Sequence, residues 1–456
     1  MDTHVLHFAA PPRPAATTAN SLLAGYGLLV LIVAAIFSAL DRQILVLLAE
    51  PMRQSLGLSD TKLGLLQGVG ITLFAGVAAV PLGWLADRYG RRTLLAACVL
   101  VWAAATAACG LAQDFAALFF AAIGLGIGEA GLAPIVYGLI PEIVSERRRV
   151  LANGIYTLAA ILGSGLGMAL SGGLVQALEG MRPLLPPALQ ALESWRLAFL
   201  AVALPGPLVA LAVLLIRLHP QRGGADGDSP VARVKPAVSA YIRAHGRTMV
   251  CVFGGSGLLA LGIAASASWL PIVAARLFGA SAAQVGQGIG VAYLLGTAAG
   301  AVLGAAGVKL LRRRAGMATP VRVVAIGSSL AALASLLMPA AHSATALYLL
   351  FGVQVAALIA GSVLVPTLLQ DMTPAALRSR LIAIGTGVTV GLSALSPVLV
   401  GALSDLLHAS AQALLIAMAG VGAVAFALGA MVMRVAEKPF VKTVETIHPD
   451  LALREA

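Results

Sequence analysis

Apolar residues along this chain fall in long runs broken by short polar segments rich in Arg, Gly and Pro. A run of about 20 residues, at 1.5 Å per residue, crosses a hydrocarbon core about 30 Å thick. The pattern predicts twelve spans, at 23–49, 60–86, 93–113, 115–140, 150–177, 196–217, 248–275, 283–308, 319–340, 344–369, 380–404 and 409–434. The polar interruption from His219 to Pro236 follows the sixth run and holds Gly223, Gly224, Asp226, Gly227, Asp228 and Pro230, a composition that suits a flexible linker. The predicted organisation is an N-terminal tail over 1–22, a six-helix half over 23–217, a linker over 218–247, a second six-helix half over 248–434 and a tail over 435–456. Within the linker, Val238, Tyr241 and Ile242 recur at helical spacing among basic residues, which predicts a short amphipathic helix on the membrane surface.

The halves echo one another. A shift of 231 positions lays Arg147, Arg149, Ala152 and Gly154 on Arg378, Arg380, Ala383 and Gly385, each set between the fourth and fifth span of its half. Duplication of this kind is how many transporters alternate access around a midplane site.

Composition agrees with the pattern: 59% of the 456 residues are hydrophobic and only 11% are charged, where a soluble globule has about a quarter charged. The fold class is an all-α membrane protein with two pseudo-symmetric halves. A net charge of +11 raises nucleic acid as a partner, but the basic residues sit in short clusters between spans with no recognition motif. Their placement reads as topology instead. Of the 30 Lys and Arg residues, 24 fall on the side of the two termini, and the positive-inside rule makes that side cytoplasmic, in a bacterial inner membrane. Met1 to Thr18 is polar and Pro-rich, so no cleaved leader is expected. Cys98, Cys109 and Cys251 are scattered, with no spacing that holds a metal, and no cofactor motif is present. The seven His residues lie in termini and loops, and GxSxG and GxxxxGK[ST] are both missing. Neither an intramembrane hydrolase nor an ATP-driven pump is expected.

Within the spans, the acids away from the interfaces are Asp41 and Glu129, and the cation is Arg42. An ionised group at the bilayer centre costs about 2.5–3.5 kcal/mol even on the lenient insertion scale, so intramembrane charges carry function by default. Counted along the helices, Asp41 lies about 17 residues from the inner end of span 1 and Glu129 about 14 from the outer end of span 4, two or three turns apart in depth at most. Burial and a neighbouring cation act in opposite senses on a carboxyl's hold on its proton, which is what proton coupling uses. A plainer alternative is that Asp41 and Arg42 merely pair to pack the end of span 1.

The stretch Gly83-Trp84-Leu85-Ala86-Asp87-Arg88-Tyr89-Gly90-Arg91-Arg92 resembles the GxxxDRxGRR signature of the major facilitator superfamily. Physically, Gly83 permits close helix packing, Asp87 accepts hydrogen bonds at the membrane edge and the arginines hold the loop in the cytosol. The resemblance implies that Gly83, Asp87, Arg88, Arg91 and Arg92 belong to an inner gate; the second-half counterpart, Gly304 to Arg314, keeps the basic residues but lacks the acid. Asp41-Arg42, the run from Ser59 to Gln67 and the run from Gly124 to Ala130 resemble the Spinster branch, whose eukaryotic members export sphingolipids and lysophospholipids. That branch usually carries an Arg seven residues before the span-four Glu, and here the position is Ala122. Gly154, Gly163, Gly167, Gly172 and Gly173 in span 5 resemble the glycine-rich antiporter motif, with Met168 in place of its Pro.

Tyr26, Gln67, Tyr137, Asn153, Tyr156, Ser266, Trp269, Tyr293 and Gln354 are the polar candidates to face a central cavity otherwise lined by Ala, Leu, Val and Gly. So apolar a cavity suits an acyl chain better than a sugar. The expected activity is monomeric, proton-coupled transport of a lipid or lysolipid-like amphiphile within membrane lipid, with drug or organic-anion efflux as the alternative.

Overall fold

The computed structural model describes residues 18–218, 231–374, 377–408 and 410–447. Residues 1–17 of the expected tail over 1–22, residues 219–230 of the expected linker and the end of the chain lie outside them. Every element is helical among the described residues. Spans 1 to 6 are Thr18–Leu47, Asp60–Leu65 continued by Leu66–Leu73 and Phe74–Tyr89, Arg91–Leu111, Phe115–Ala130 with Leu132–Ile143, Glu146–Met181, and Ser194–Ala203 with Gly206–Leu214. Spans 7 to 12 are Val231–Phe278, Ala282–Ala315, Thr319–Leu337, Ala344–Ser362 with Val365–Asp371, Arg378–Leu406 and Ala411–Ile447. Eleven helical stretches are long and apolar enough to cross a membrane, and one of them, Ala282–Ala340, runs for 59 residues. Straight, it would be about three bilayers long. It folds back at Gly316, whose φ of 48° reverses the chain, and so supplies spans 8 and 9.

Several spans are interrupted for identifiable reasons. Span 4 breaks at Gly131, span 6 at Leu204 and Pro205 and span 10 ahead of Pro366, where a ring replaces a helical N–H donor. Span 2 widens into a π-helical segment over Leu66–Leu73. Other helices outrun their expected limits. Span 12 continues past residue 434 to Ile447 because Ala436, Phe440 and Val444 extend its buried face. The expected tail at 435 is therefore helical for its first three turns.

The helix expected over the end of the linker meets span 7 at a kink at His245, whose φ of −119° and ψ of 21° leave the helical range. It packs on the second half. The Tyr241 hydroxyl donates to the Met372 carbonyl, its ring stacks on His245 at 4.6 Å, and His245 meets Thr443 at 3.3 Å.

Two apolar cores organise the bundle. One lies within the second half, around Phe253, Val321, Phe426 and Phe440. The other joins both halves, with Trp102 and Phe199 of the first packed in one cluster with Trp269 and Val400 of the second. The end of the bundle away from the arginine-rich loops is called here the far end.

Candidate functional site

Span 1 presents Asp41 and Arg42 to different neighbours, since adjacent positions on a helix diverge by about 100°. The Arg42 guanidinium turns to span 4, where Nε and Nη2 donate to one carboxylate oxygen of Glu129 at 3.0 and 2.8 Å. Ser38, one turn earlier on span 1, donates to the other oxygen at 3.3 Å. Asp41 turns to span 3, accepts from the Thr106 hydroxyl at 2.7 Å and is fully buried. Its second oxygen and the buried indole N–H of Trp102 have no partner among the described residues.

The expectation that Arg42 serves Asp41 is therefore corrected: its partner is Glu129. Spans 3 and 4 approach closely because Gly128 has no side chain; a Cβ there would fall 2.6 Å from the Trp102 backbone nitrogen. Glu129 then sits in the last turn before the break at Gly131. Of the two carboxylates, Glu129 bonds the one cation and Asp41 does not, and Ala122, fully buried, supplies no second cation. Arg42 keeps 58% of its side-chain surface exposed, while Glu129 keeps 2%.

A second polar constellation closes the far end. Arg276, near the end of span 7, donates through Nη1 and Nη2 to the two Asp60 oxygens at 3.0 and 2.6 Å and through Nε to Glu50 at 2.5 Å. Asp60 starts span 2 and also accepts from Ser404 of span 11 at 2.7 Å. Reciprocally, Asp405 accepts from the backbone N–H groups of Asp60 and Thr61 at 3.1 and 2.8 Å and from the Thr61 hydroxyl at 2.6 Å. Burial pushes the Glu50 carboxyl up, but hydrogen bonds from Arg53 and then Arg276 outweigh it and hold it below the usual carboxylate range. Spans 2 and 11 touch backbone to backbone here: a Cβ on Gly64 would meet the Pro397 carbonyl at 2.3 Å, and one on Gly401 the Asp60 carbonyl at 2.3 Å. Sequence reading missed this clasp, because its charges stand at span ends where interfacial charges are ordinary.

Between the halves lies a cavity of about 70 Å³, lined among others by Gln43 of span 1, Ser164 and Met168 of span 5, Ser266 of span 7, Tyr293 of span 8 and Gln354 of span 10. Of the expected cavity residues, Tyr293, Ser266 and Gln354 are there. The other six are not among its lining. Tyr26 donates to the Ala212 carbonyl on span 6 at 3.1 Å. Tyr137 bonds Thr157 at 3.0 Å and meets the Tyr156 ring edge-on at 5.4 Å. Trp269 is in the shared core, and the amide groups of Gln67 and the Asn153 carbonyl are buried without partners among the described residues. Gln43 and Ser164 were missed, although Gln43 adjoins Arg42 and a polar residue inside an apolar run is a visible signal.

Span 5 uses its glycines for packing. Gly163 and Gly167 lie against Ala39 of span 1 and Gly172 against Ala282 of span 8, while Gly154 and Gly173 face open space.

At the arginine-rich end the expected gate residues contact their own half. Arg91 donates to Glu142 at 2.5 Å and to the Gly138 carbonyl at 3.3 Å, Arg92 to the Ile216 carbonyl at 2.9 Å, and Arg88 lies over the Trp84 and Tyr89 rings. The close packing expected at Gly83 is corrected: nothing lies within 4 Å of a Cβ built there. Spans 2 and 11 have their glycine contacts at the far end instead, so this end of span 2 is left open. The Asp87 side chain is outside the described residues.

Residues 31–384 match the family model of the Major Facilitator Superfamily. An MFS-type efflux pump of Mycolicibacterium smegmatis is 28% identical over 39% of this chain and 38% of its own. The sphingosine-1-phosphate transporter SPNS2 of Mus musculus is 27% identical over 52% of this chain and 41% of its own. These alignments thus span well under half of either relative. A solved bacterial homologue of the human lysosomal transporter Spinster, in an inward-facing and unoccupied conformation, superposes with a TM-score of 0.73 over 97% of this chain and 99% of that one, at 21% identity. At that identity the likeness is one of fold.

Proposed function

This chain belongs to the major facilitator superfamily, and we propose that within it the protein is a proton-coupled transporter of a lipid or lysolipid-like amphiphile. The observation that carries the coupling is the pair of carboxylates, Asp41 and Glu129, set on either side of the single cation Arg42. In a low-dielectric interior the surplus negative charge is most cheaply balanced by a proton. Loading that proton releases Arg42 from one acid to favour the other, so protonation and the tilt of span 1 against span 4 are linked.

The amphiphile rests on the cavity between the halves, where Met168, Leu270, Ile289 and Phe351 offer a chain-like surface and Gln43, Tyr293 and Gln354 a few polar anchors. Under the positive-inside rule the arginine-rich end is cytoplasmic, in a bacterial inner membrane, with the termini on that side. The far-end clasp then makes the described conformation inward-facing. Gly83, Asp87, Arg88, Arg91 and Arg92 act as a gate only when the cytoplasmic end closes.

Efflux of an organic anion is the second reading, favoured by the exposure of Arg42, which leaves its guanidinium within reach of anionic cargo. Flux into liposomes carrying the protein, with lysolipids, sugars, organic anions and cationic dyes, each with and without a pH gradient, separates the readings. Gradient-driven flux of lysolipid alone supports the first; organic-anion flux without lysolipid flux selects the second; flux indifferent to the gradient removes the coupling.

A further inference from the structure

Span 12 ends in a helical extension whose two sides differ sharply. Ala436, Phe440 and Val444 are buried on the second half, whereas Arg434, Lys438 and Lys442 are exposed. None of these three is in an ion pair among the described residues, though the chain elsewhere uses its arginines in pairs. At 3.6 residues per turn, positions 434, 438 and 442 share a face, and it is the face on which Leu428, Met431 and Val435 stand exposed further up the helix. Exposed apolar residues on a spanning helix face lipid tails. A row of cations directly below them on the same face therefore stands at headgroup level.

Beside the first of these cations is a cleft of about 250 Å³ between spans 9 and 12, lined by Arg322, Ile326, Arg434 and Glu437 with Val321 and Ala325 behind. Arg322 and Glu437 neutralise each other, Nε donating to Oε1 at 2.8 Å, which leaves the charge of Arg434 uncompensated at its mouth. Ile326 is 43% exposed and gives the cleft an apolar wall toward the bilayer. Glu445, a turn beyond Lys442, is the one acid on the cationic row among the described residues.

We propose that this cleft and the cationic row form a binding site for an anionic phospholipid of the leaflet at the arginine-rich end, with its phosphate at Arg434 and Lys438 and an acyl chain along Ile326 and Met431. Charge complementarity and the continuity of apolar and cationic surface select a lipid over a soluble anion or an acidic protein, since the site opens sideways to the bilayer. The site does not depend on the transported substrate.

The test is native mass spectrometry of the purified full chain reloaded in detergent with equimolar phosphatidylglycerol and phosphatidylcholine, together with melting curves in each lipid. Wild type is expected to retain phosphatidylglycerol several-fold over phosphatidylcholine and to melt higher in it. The triple variant Arg434→Gln, Lys438→Gln, Lys442→Gln loses both preferences, and Arg312→Gln, Arg313→Gln, Arg314→Gln, an equal loss of charge at the end of span 8, keeps both. Lys438→Gln alone, at an exposed position that does not threaten folding, lowers the preference at least twofold. Retention of the full preference by the span-12 variants, equal loss in the span-8 variant, or displacement of the lipid by glycerol 3-phosphate at the same concentration overturns the proposal.

Discussion

Arg276 grips Asp60 across the interface between the halves with two hydrogen bonds, 2.6 and 3.0 Å long, and both side chains are almost wholly buried. Removing one member of a buried pair strands the other charge, at a cost of about 3–5 kcal/mol. That exceeds the few kcal/mol by which two conformations of a transporter differ. Arg276→Gln should therefore open the far end in most molecules. Spin labels at Gln176 and Gln287, exposed on either side of the interface, should report a longer distance than in wild type; an unchanged distribution would mean that packing alone holds the clasp.

Steric closure is separable from charge. Gly401→Val would place a Cβ 2.3 Å from the Asp60 carbonyl, where neither backbone has room to retreat, while leaving Arg276 and both acids intact. The same labels should show the far end held apart, and transport should fall at least tenfold. Gly173→Val, on a glycine with open space around it, is the matched control and should behave as wild type.

The clasp has a pH limit whose sign follows from Glu50. Its carboxyl is held below the usual range in the clasped state, so the clasp favours the ionised form. Its contribution is complete above the ordinary carboxylate value and is lost as pH falls through the lowered one. Far-end closure, followed by the same labels, should be constant from neutral pH to mildly acid and loosen only below. Glu50→Gln should abolish that acid limb, and an identical limb in the variant would place the titrating group elsewhere.

Proton loading at the first-half site predicts a different pattern. Glu129→Gln removes the charge that holds Arg42, mimics the loaded site and should fix the conformational preference, erasing pH-driven opening. Asp41→Asn leaves the Arg42–Glu129 bridge intact and should reduce coupled flux while preserving more of the conformational response. Should Glu129→Gln keep the wild-type midpoint and amplitude in distance measurements, the proton travels by another route.

Topology is testable without any conformational assay. Reporters fused at Gly224 and after Arg454 should both read as cytoplasmic, and periplasmic activity of either would reverse the assigned orientation.

The clasp also shows why legibility in the sequence was uneven. Span number, the break between spans 8 and 9 and the arginine-rich face were readable because each depends on a local quantity, the transfer free energy of about 20 consecutive residues or the charge of one loop. Asp41, Arg42 and Glu129 stood out for the same reason: any charge within such a run is conspicuous. What the sequence could not convey was who meets whom. Arg42 and Asp41 adjoin in sequence, yet adjacent positions on a helix diverge by about 100°, so the guanidinium went to span 4 and the carboxylate to span 3. Asp60 and Arg276 lie 216 residues apart and each resembles an ordinary interfacial charge. Only the docking of one six-helix half on the other, set by backbone contacts at Gly64 and Gly401, brings them together. Local hydrophobicity decided which segments cross the membrane, and the rotation, tilt and bending of those rigid helices, which depend on all their neighbours at once, decided the ion pairs and the cavity wall.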